Sequence, residues 1–291
     1  MFIGSGVAIV TPFNSNGSVN FESLEKLLEF QIKNSTDAII ICGSTGEAAT
    51  LTEDERFEVI KFTVDTVKQR IPVIAGTGSN STSQSIKLSL DAQKAGADGL
   101  LIVTPYYNKP TQQGLIAHYE EIAKAVDIDI ILYNVPSRTG VNMLPETVRT
   151  LSMIDNITGI KEASSDITQI AKIVAICPES FNVYSGNDSE ILPTLAIGGR
   201  GVISVVANIL PRETEAVIAR FFEGHVPESR KAQLELLPII DAMFIEVNPV
   251  PVKQALNIMG MNVGSCRKPL VDMSESNLNK LKEVMADYKL S

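Results

Sequence analysis

The chain is poor in the residues that most often run catalysis. It has no Trp, 2 His and 3 Cys among 291 residues. His118 and His225 are far apart, and neither sits in an H-E-x-x-H or related pattern. Cys42, Cys177 and Cys266 form no C-x-x-C. A His/Cys zinc site is therefore disfavoured and no metal is expected. A Ser-His-Asp or Cys-His mechanism would have to recruit one of two isolated histidines. Three scattered cysteines build no disulfide framework, so a reducing cytoplasm is the expected compartment. Long apolar runs are also missing. The runs at 38–41 and 99–103 are far too short to span a bilayer. The first lysine is Lys26, so no secretory leader is expected. Basic excess is absent as well: 25 Lys+Arg face 34 Asp+Glu, a formal charge of −9. Such a chain is a poor binder of phosphate backbones. Neither nucleic acid nor membrane is expected as a partner. Any chemistry falls to Lys, Tyr, Arg, Ser, Thr or carboxylates.

What is present is an ordinary globular balance, with 44% hydrophobic and 20% charged residues. Length alone allows two domains, but a β/α barrel of about 250 residues folds as one unit. The chain alternates short β-branched runs with amphipathic stretches. The first run is 6–10. Asn20 then caps a helix with Leu24, Leu27, Leu28 and Ile32 at helical spacing. The second run is 38–42, followed by a capping box at Thr52–Glu55 and a helix to about 69. The third is 72–75, followed by a second capping box at Ser81–Gln84 and a stop at Gly96. Runs at 99–103, 129–133, 157–160, 182–184 and 201–205 continue the pattern. Their helices start near Thr111, at Pro145, near Asp166, before Gly198 and near Pro211.

Eight strand-helix units with unbroken apolar strands predict a parallel sheet buried on both faces. Eight such units predict a closed (β/α)8 TIM barrel over 1–224. An open doubly wound sheet also alternates, but no G-x-G-x-x-G follows the first strand. The remaining 225–291 read as helices at 232–245, 252–259 and 277–288, a C-terminal helical extension.

A barrel of this kind carries its active site at the C-terminal strand ends, so eight places can be searched. Lys161 stands out there, directly after an apolar run. Desolvation in the barrel mouth lowers an amine's pKa, and a neutral amine attacks a carbonyl to form a Schiff base. The alternative is a structural lysine paired with Glu162 or another carboxylate. Tyr133 ends strand five and can shuttle protons through hydroxyl partners, with Ser44, Thr45 and Tyr107 as candidates. It can equally be a packing residue. Arg138 overhangs the same mouth and suits a bidentate carboxylate contact, or an exposed loop salt bridge. Gly43–Gly46 can present N–H groups to a carboxylate. Gly198–Gly201 precedes strand eight, so it belongs to the opposite face as a helix-to-strand turn. His118 falls in the fourth helix and is expected at the surface.

Three segments carry a resemblance: Gly43-Ser44-Thr45-Gly46-Glu47, Tyr133 through Gly140 (YNVPSRTG), and Gly159-Ile160-Lys161-Glu162. Together they resemble the class I aldolase family that includes dihydrodipicolinate synthase and N-acetylneuraminate lyase. Thr104-Pro105-Tyr106-Tyr107-Asn108 and Asn248-Pro249-Val250-Pro251-Val252-Lys253 resemble the synthase branch. The resemblance runs over essentially the whole chain. It implies condensation of pyruvate with L-aspartate-4-semialdehyde on the diaminopimelate route to lysine, with no metal or organic cofactor. It implies Lys161 as the Schiff-base residue. Tyr133, Ser44 and Tyr107 match the family's proton relay, Tyr107 reaching in from a neighbouring subunit of a homotetramer, a dimer of dimers. Thr45 and Ile203 match pyruvate contacts, Gly186 falls with the substrate-binding positions, and Arg138 matches the binder of the aldehyde's carboxylate.

Two departures stand out. Many synthases have Thr where this chain has Ser44; the hydroxyl survives, but the methyl that stiffens its rotamer does not. Lysine-sensitive members carry a His and a Glu where this chain has Arg56 and Gln84, although Asn80 and Tyr106 match. Feedback by lysine is therefore expected to be weak or absent. Rival readings are a sialic acid or 2-keto-3-deoxy sugar acid aldolase, and a non-catalytic metabolite sensor on the same barrel.

Overall fold

A computed structural model of the chain describes residues 1–290. Eight parallel strands close into one barrel in sequence order. They are β1 (Gly4–Ala8), β2 (Ala38–Ile41), β3 (Val73–Gly76), β4 (Gly99–Val103), β5 (Asp129–Asn134), β6 (Ile157–Glu162), β7 (Asn182–Ser185) and β8 (Gly201–Ser204). The helices around them are α1 (Phe21–Lys33), α2 (Glu53–Val67), α3 (Thr82–Ala95), α4 (Gln112–Ala125), α5 (Pro136–Thr139), α6 (Pro145–Leu151), α7 (Ile167–Ile176), α8 (Ile191–Ala196) and α9 (Pro211–Phe222). Then follow α10 (Val226–Met243), α11 (Val250–Ile258) and α12 (Glu275–Asp287). The fold is thus a (β/α)8 barrel with C-terminal helices, as the alternation predicts. No helix is long and apolar enough to cross a membrane among the described residues.

The strands form because their apolar runs face cores on both sides. Ile39, Ile41, Leu100, Ile102, Ile130, Leu132 and Ile160 point to the helices. Ile40, Ile74, Leu101, Ile131, Tyr133 and Ile203 alternate with them and fill the barrel. Phe2 plugs the N-terminal end, stacked on Tyr184 with ring centroids 4.6 Å apart. The mouth is therefore the end where small or polar side chains replace this packing.

Local signals account for most helix starts. Asn20, Ser81, Thr111 and Asp166 each accept a backbone N–H of the first turn. Thr52 and Glu55 make a reciprocal capping box. Gly96 ends α3 at φ +92°, a left-handed position that glycine adopts without a Cβ penalty.

Four expectations need correction. The first strand lies at Gly4–Ala8, two residues earlier than the apolar run suggests. Pairing of Gly4 with Gly201 and of Gly6 with Ala38 sets that register, while Ile9 and Val10 continue the buried path beyond the strand. The second capping box is half made. Ser81 accepts from Gln84 N, but the Gln84 side chain donates across to Glu53 Oε1 at 2.7 Å. His118 is not a surface residue: it is 5% exposed, on the face of α4 that buries Leu115, Tyr119 and Ile122. Its Nδ1 meets Thr82 Oγ1 at 3.0 Å, and burial pushes its pKa down to about 4. The extension's first helix begins at Val226 rather than 232, with proline in its first turn.

Candidate active site

Register brings the two central groups together. In the β5–β6 pairing Tyr133 lies directly opposite Lys161. Both point into the barrel, and Lys161 Nζ stands 4.5 Å from the centre of the Tyr133 ring. Lys161 is 5% exposed. Among the described residues it forms no ion pair, unlike Lys253, which is paired with Glu47. Burial drives the amine's pKa down to about 7, helped by Arg138 and opposed by the carboxylate of Asp188. About half of the amine is then neutral near neutral pH, against well under a thousandth for a free lysine.

Strand alternation excludes the structural pairing with Glu162. Lys161 points inward, so its neighbour Glu162 points outward. There Glu162 accepts from Asn134 Nδ2 at 3.0 Å, Ser164 N at 2.9 Å and Gln169 Nε2 at 3.2 Å. Burial raises its pKa. Asp188, after β7, is also buried. It accepts from the Ser204 hydroxyl and from the N–H groups of Val205 and Val206 at 3.0 and 3.2 Å.

Tyr133 is buried, which raises its phenol pKa; Arg138 and the Ser44 hydroxyl counter this. Ser44 and Thr45 come from the loop after β2. That loop is fixed at several points. Thr11 Oγ1 donates to Gly46 O at 2.6 Å. Glu47, in the left-handed region at φ +53°, sends its carboxylate to Lys253 Nζ at 2.8 Å and to Arg267 N at 2.8 Å. Asn248 Nδ2 donates to Thr45 Oγ1 at 2.9 Å. Arg138 sits on the one-turn helix α5 and donates from Nη2 to Asn248 O at 3.3 Å.

Lys161, Tyr133, Ser44, Thr45, Arg138 and Asn248 line a cavity of about 220 Å³ over the barrel axis, with Lys161 at its floor and Arg138 at its rim. Gly186 lines it too. A Cβ there would meet Ala163 Cβ at 2.5 Å, so glycine is required for the β7 loop to lie against the end of β6. Ile203 is wholly buried in the barrel core, and Val205 forms the β8 side of the wall. A second cavity of about 370 Å³ adjoins the first, sharing Ser44, Tyr133, Arg138 and Asn248 and adding Arg56 and Tyr106. The overall −9 charge is thus set against a mouth whose floor and rim carry an amine and guanidinium groups.

Two expected site residues line neither cavity in the single chain: Ile203, whose side chain packs in the barrel core, and Tyr107, which is 90% exposed at φ +70°. Asn248, Asp188 and the Lys253–Glu47 pair were not among the expected site residues. Asn248 and Lys253 do lie in the Asn248–Lys253 segment that carried part of the resemblance. Among the described residues no group of three or more His, Cys, Asp or Glu is placed to hold a metal.

A (β/α)8 barrel with a lone, desolvated lysine beside a tyrosine at its mouth defines the class: a lyase of the class I aldolase type. Comparison with known proteins narrows this. Residues 1–287 match the model of the dihydrodipicolinate synthetase family, and the chain belongs to that family. It is 57% identical to the 4-hydroxy-tetrahydrodipicolinate synthase of Thermoanaerobacter sp. (strain X514), over 100% of this chain and 98% of that one. It is 56% identical to the synthase of Caldicellulosiruptor bescii, with the same coverage. The crystal structure of dihydrodipicolinate synthase from Thermotoga maritima superposes with a TM-score of 0.98 at 45% identity, covering all of both chains.

Proposed function

We propose that this chain condenses pyruvate with L-aspartate-4-semialdehyde, the first carbon-carbon bond-forming step toward 4-hydroxy-tetrahydrodipicolinate on the diaminopimelate route to lysine. The observation that carries this reading is Lys161: buried, unpaired, with its pKa near 7, facing Tyr133 in a cavity rimmed by Arg138.

The neutral Lys161 amine attacks the pyruvate keto carbon, and loss of water leaves a protonated imine. The imine withdraws electrons from the neighbouring methyl group. Loss of a methyl proton gives an enamine, whose terminal carbon attacks the aldehyde. The new alkoxide takes up a proton, and the amino group of the incoming substrate then displaces Lys161 from the imine. Tyr133 carries these protons, with Ser44 as its partner and Tyr107 supplied by a neighbouring copy in a homotetramer, a dimer of dimers. The Thr45 hydroxyl and the backbone around Gly186 and Ile203 hold pyruvate. Arg138 takes the aldehyde's carboxylate. No organic cofactor or metal is needed, because the imine is the electron sink. The working compartment is the cytoplasm.

The second reading is aldol cleavage of a sugar acid on the same imine. Arg138 at the rim favours a short carboxylated aldehyde over a polyol. Turnover is measured with pyruvate plus aspartate semialdehyde, and separately with sialic acid and 2-keto-3-deoxy sugar acids. Preference for a sugar acid overturns the proposal.

A further inference from the structure

Both proposed carboxylate-binding arms are held by one residue from outside the barrel. Asn248 lies between α10 and α11, is 6% exposed, and lines both cavities. Its side-chain Nδ2 reaches Thr45 Oγ1 at 2.9 Å, and its backbone carbonyl accepts from Arg138 at 3.3 Å. Its Oδ1 is buried with no partner.

The donor count gives this arrangement a direction. A hydroxyl has one proton and two lone pairs. Asn248 fills a lone pair of Thr45, and no acceptor among the described residues takes the Thr45 proton. The hydroxyl is left as a donor to whatever enters the cavity. A carboxylate, which only accepts, is the ligand that such a donor suits. The unpaired Oδ1 says nothing about the ligand, but it marks a cost that position 248 carries. An apolar residue at 248 would bury no orphan oxygen, and native folds seldom carry one without a role.

We infer that Asn248 is a positioning residue, whose side-chain amide sets the Thr45 hydroxyl as a donor to the pyruvate carboxylate while its backbone carbonyl anchors Arg138. The inference rests on the reading of this site as a pyruvate-binding one. Through it the C-terminal helices become part of the site rather than an appendage.

The two links respond differently to substitution, and this makes the idea testable. Asn248→Ala deletes the amide but keeps the carbonyl. Asn248→Asp keeps the shape but can only accept, so it captures the Thr45 proton and adds a negative charge beside an anion. The experiment measures the pyruvate concentration that half-saturates borohydride-trapped adduct, together with the KM for aspartate semialdehyde and the thermal midpoint. The expected result is a rise of about tenfold for Asn248→Ala, and more for Asn248→Asp. The KM for the aldehyde stays within about twofold, since the carbonyl link survives. In a Thr45→Val background Asn248→Ala adds no further shift, and Asn248→Asp adds only the smaller part due to its charge. If Asn248→Ala does not fold, Asn248→Asp is compared with and without Thr45→Val, and a shift of equal size in both backgrounds overturns the inference. Unchanged half-saturation in the variants, or a parallel loss for both substrates with a lowered thermal midpoint, overturns the inference. Absence of any adduct in the unaltered protein overturns the pyruvate reading itself.

Discussion

Replacing Lys253 with methionine tests how the C-terminal helices lock the loop that carries Ser44 and Thr45. Lys253 is 1% exposed and spends its ammonium on Glu47 Oε1, Thr11 O and Ser265 O at 2.8, 3.0 and 3.0 Å. Burial lowers its pKa and Glu47 holds it up, so the charge exists because of its partner. Methionine replaces the apolar stem without the ammonium and leaves the Glu47 carboxylate buried without its cation, with Arg267 N still donating to it. Removing one partner of a buried pair costs about 3–5 kcal/mol. At about 2.1 cal/mol/K per residue, a chain of this length has an unfolding entropy of about 0.6 kcal/mol/K. The thermal midpoint should then fall by about 5–8 °C at fixed protein concentration and scan rate. Adding Glu47→Gln to Lys253→Met removes the stranded charge. The double variant should therefore lose less than the sum of the two single losses, by about 1 kcal/mol or more. The measurement is differential scanning calorimetry on all four proteins. A midpoint for Lys253→Met within about 1 °C of the unaltered chain, or strictly additive losses, would show that the buried pair does not lock the loop.

Four further outcomes follow from the same site. With the Lys161 pKa near 7, the rate of imine formation with pyruvate should rise through the acid range and level off above about pH 7; a limb near the free-lysine value of about 10.4 contradicts this. Asp188→Asn removes the charge that supports the ammonium, so the limb should move to lower pH. Mixing Lys161→Ala and Tyr107→Phe chains should restore activity that neither has alone, because hybrid assemblies contain sites with both native groups; no recovery on subunit exchange contradicts a relay shared between copies. Lysine should leave turnover unchanged in the micromolar range, since Arg56 donates to Ala48 O and Gln84 to Glu53 where lysine-sensitive members carry a His and a Glu; low-micromolar inhibition in an initial-rate assay contradicts this.

The barrel was legible because its signals are local. Apolar runs, caps at Asn20 and Thr52, and the glycine stop at Gly96 each act within a few residues. The β1 boundary was not, because Gly4 pairs through its backbone with Gly201, nearly two hundred positions away, and has no side chain to announce it. His118 was misplaced although the signal was present. Leu115, Tyr119, Ile122 and Ala123 define the buried stripe of α4, and position 118 falls on it. Lys161 and Tyr133 were legible because a strand-end position and a residue type suffice to nominate them. Asn248 was not. Its roles are contacts to Thr45 and Arg138, and nothing in an asparagine before a proline states which distant hydroxyl it will meet. Lys253 shows the same limit, since its pairing with Glu47 spans most of the chain.

Every role proposed at this site depends on an imine between Lys161 and pyruvate. The direct measurement is borohydride reduction of the protein with pyruvate, followed by peptide mapping of the adduct by mass spectrometry. One reduced pyruvyl group per chain is expected, on Lys161, and none in Lys161→Ala. Stoichiometric modification of another lysine, or no covalent adduct at saturating pyruvate, contradicts it.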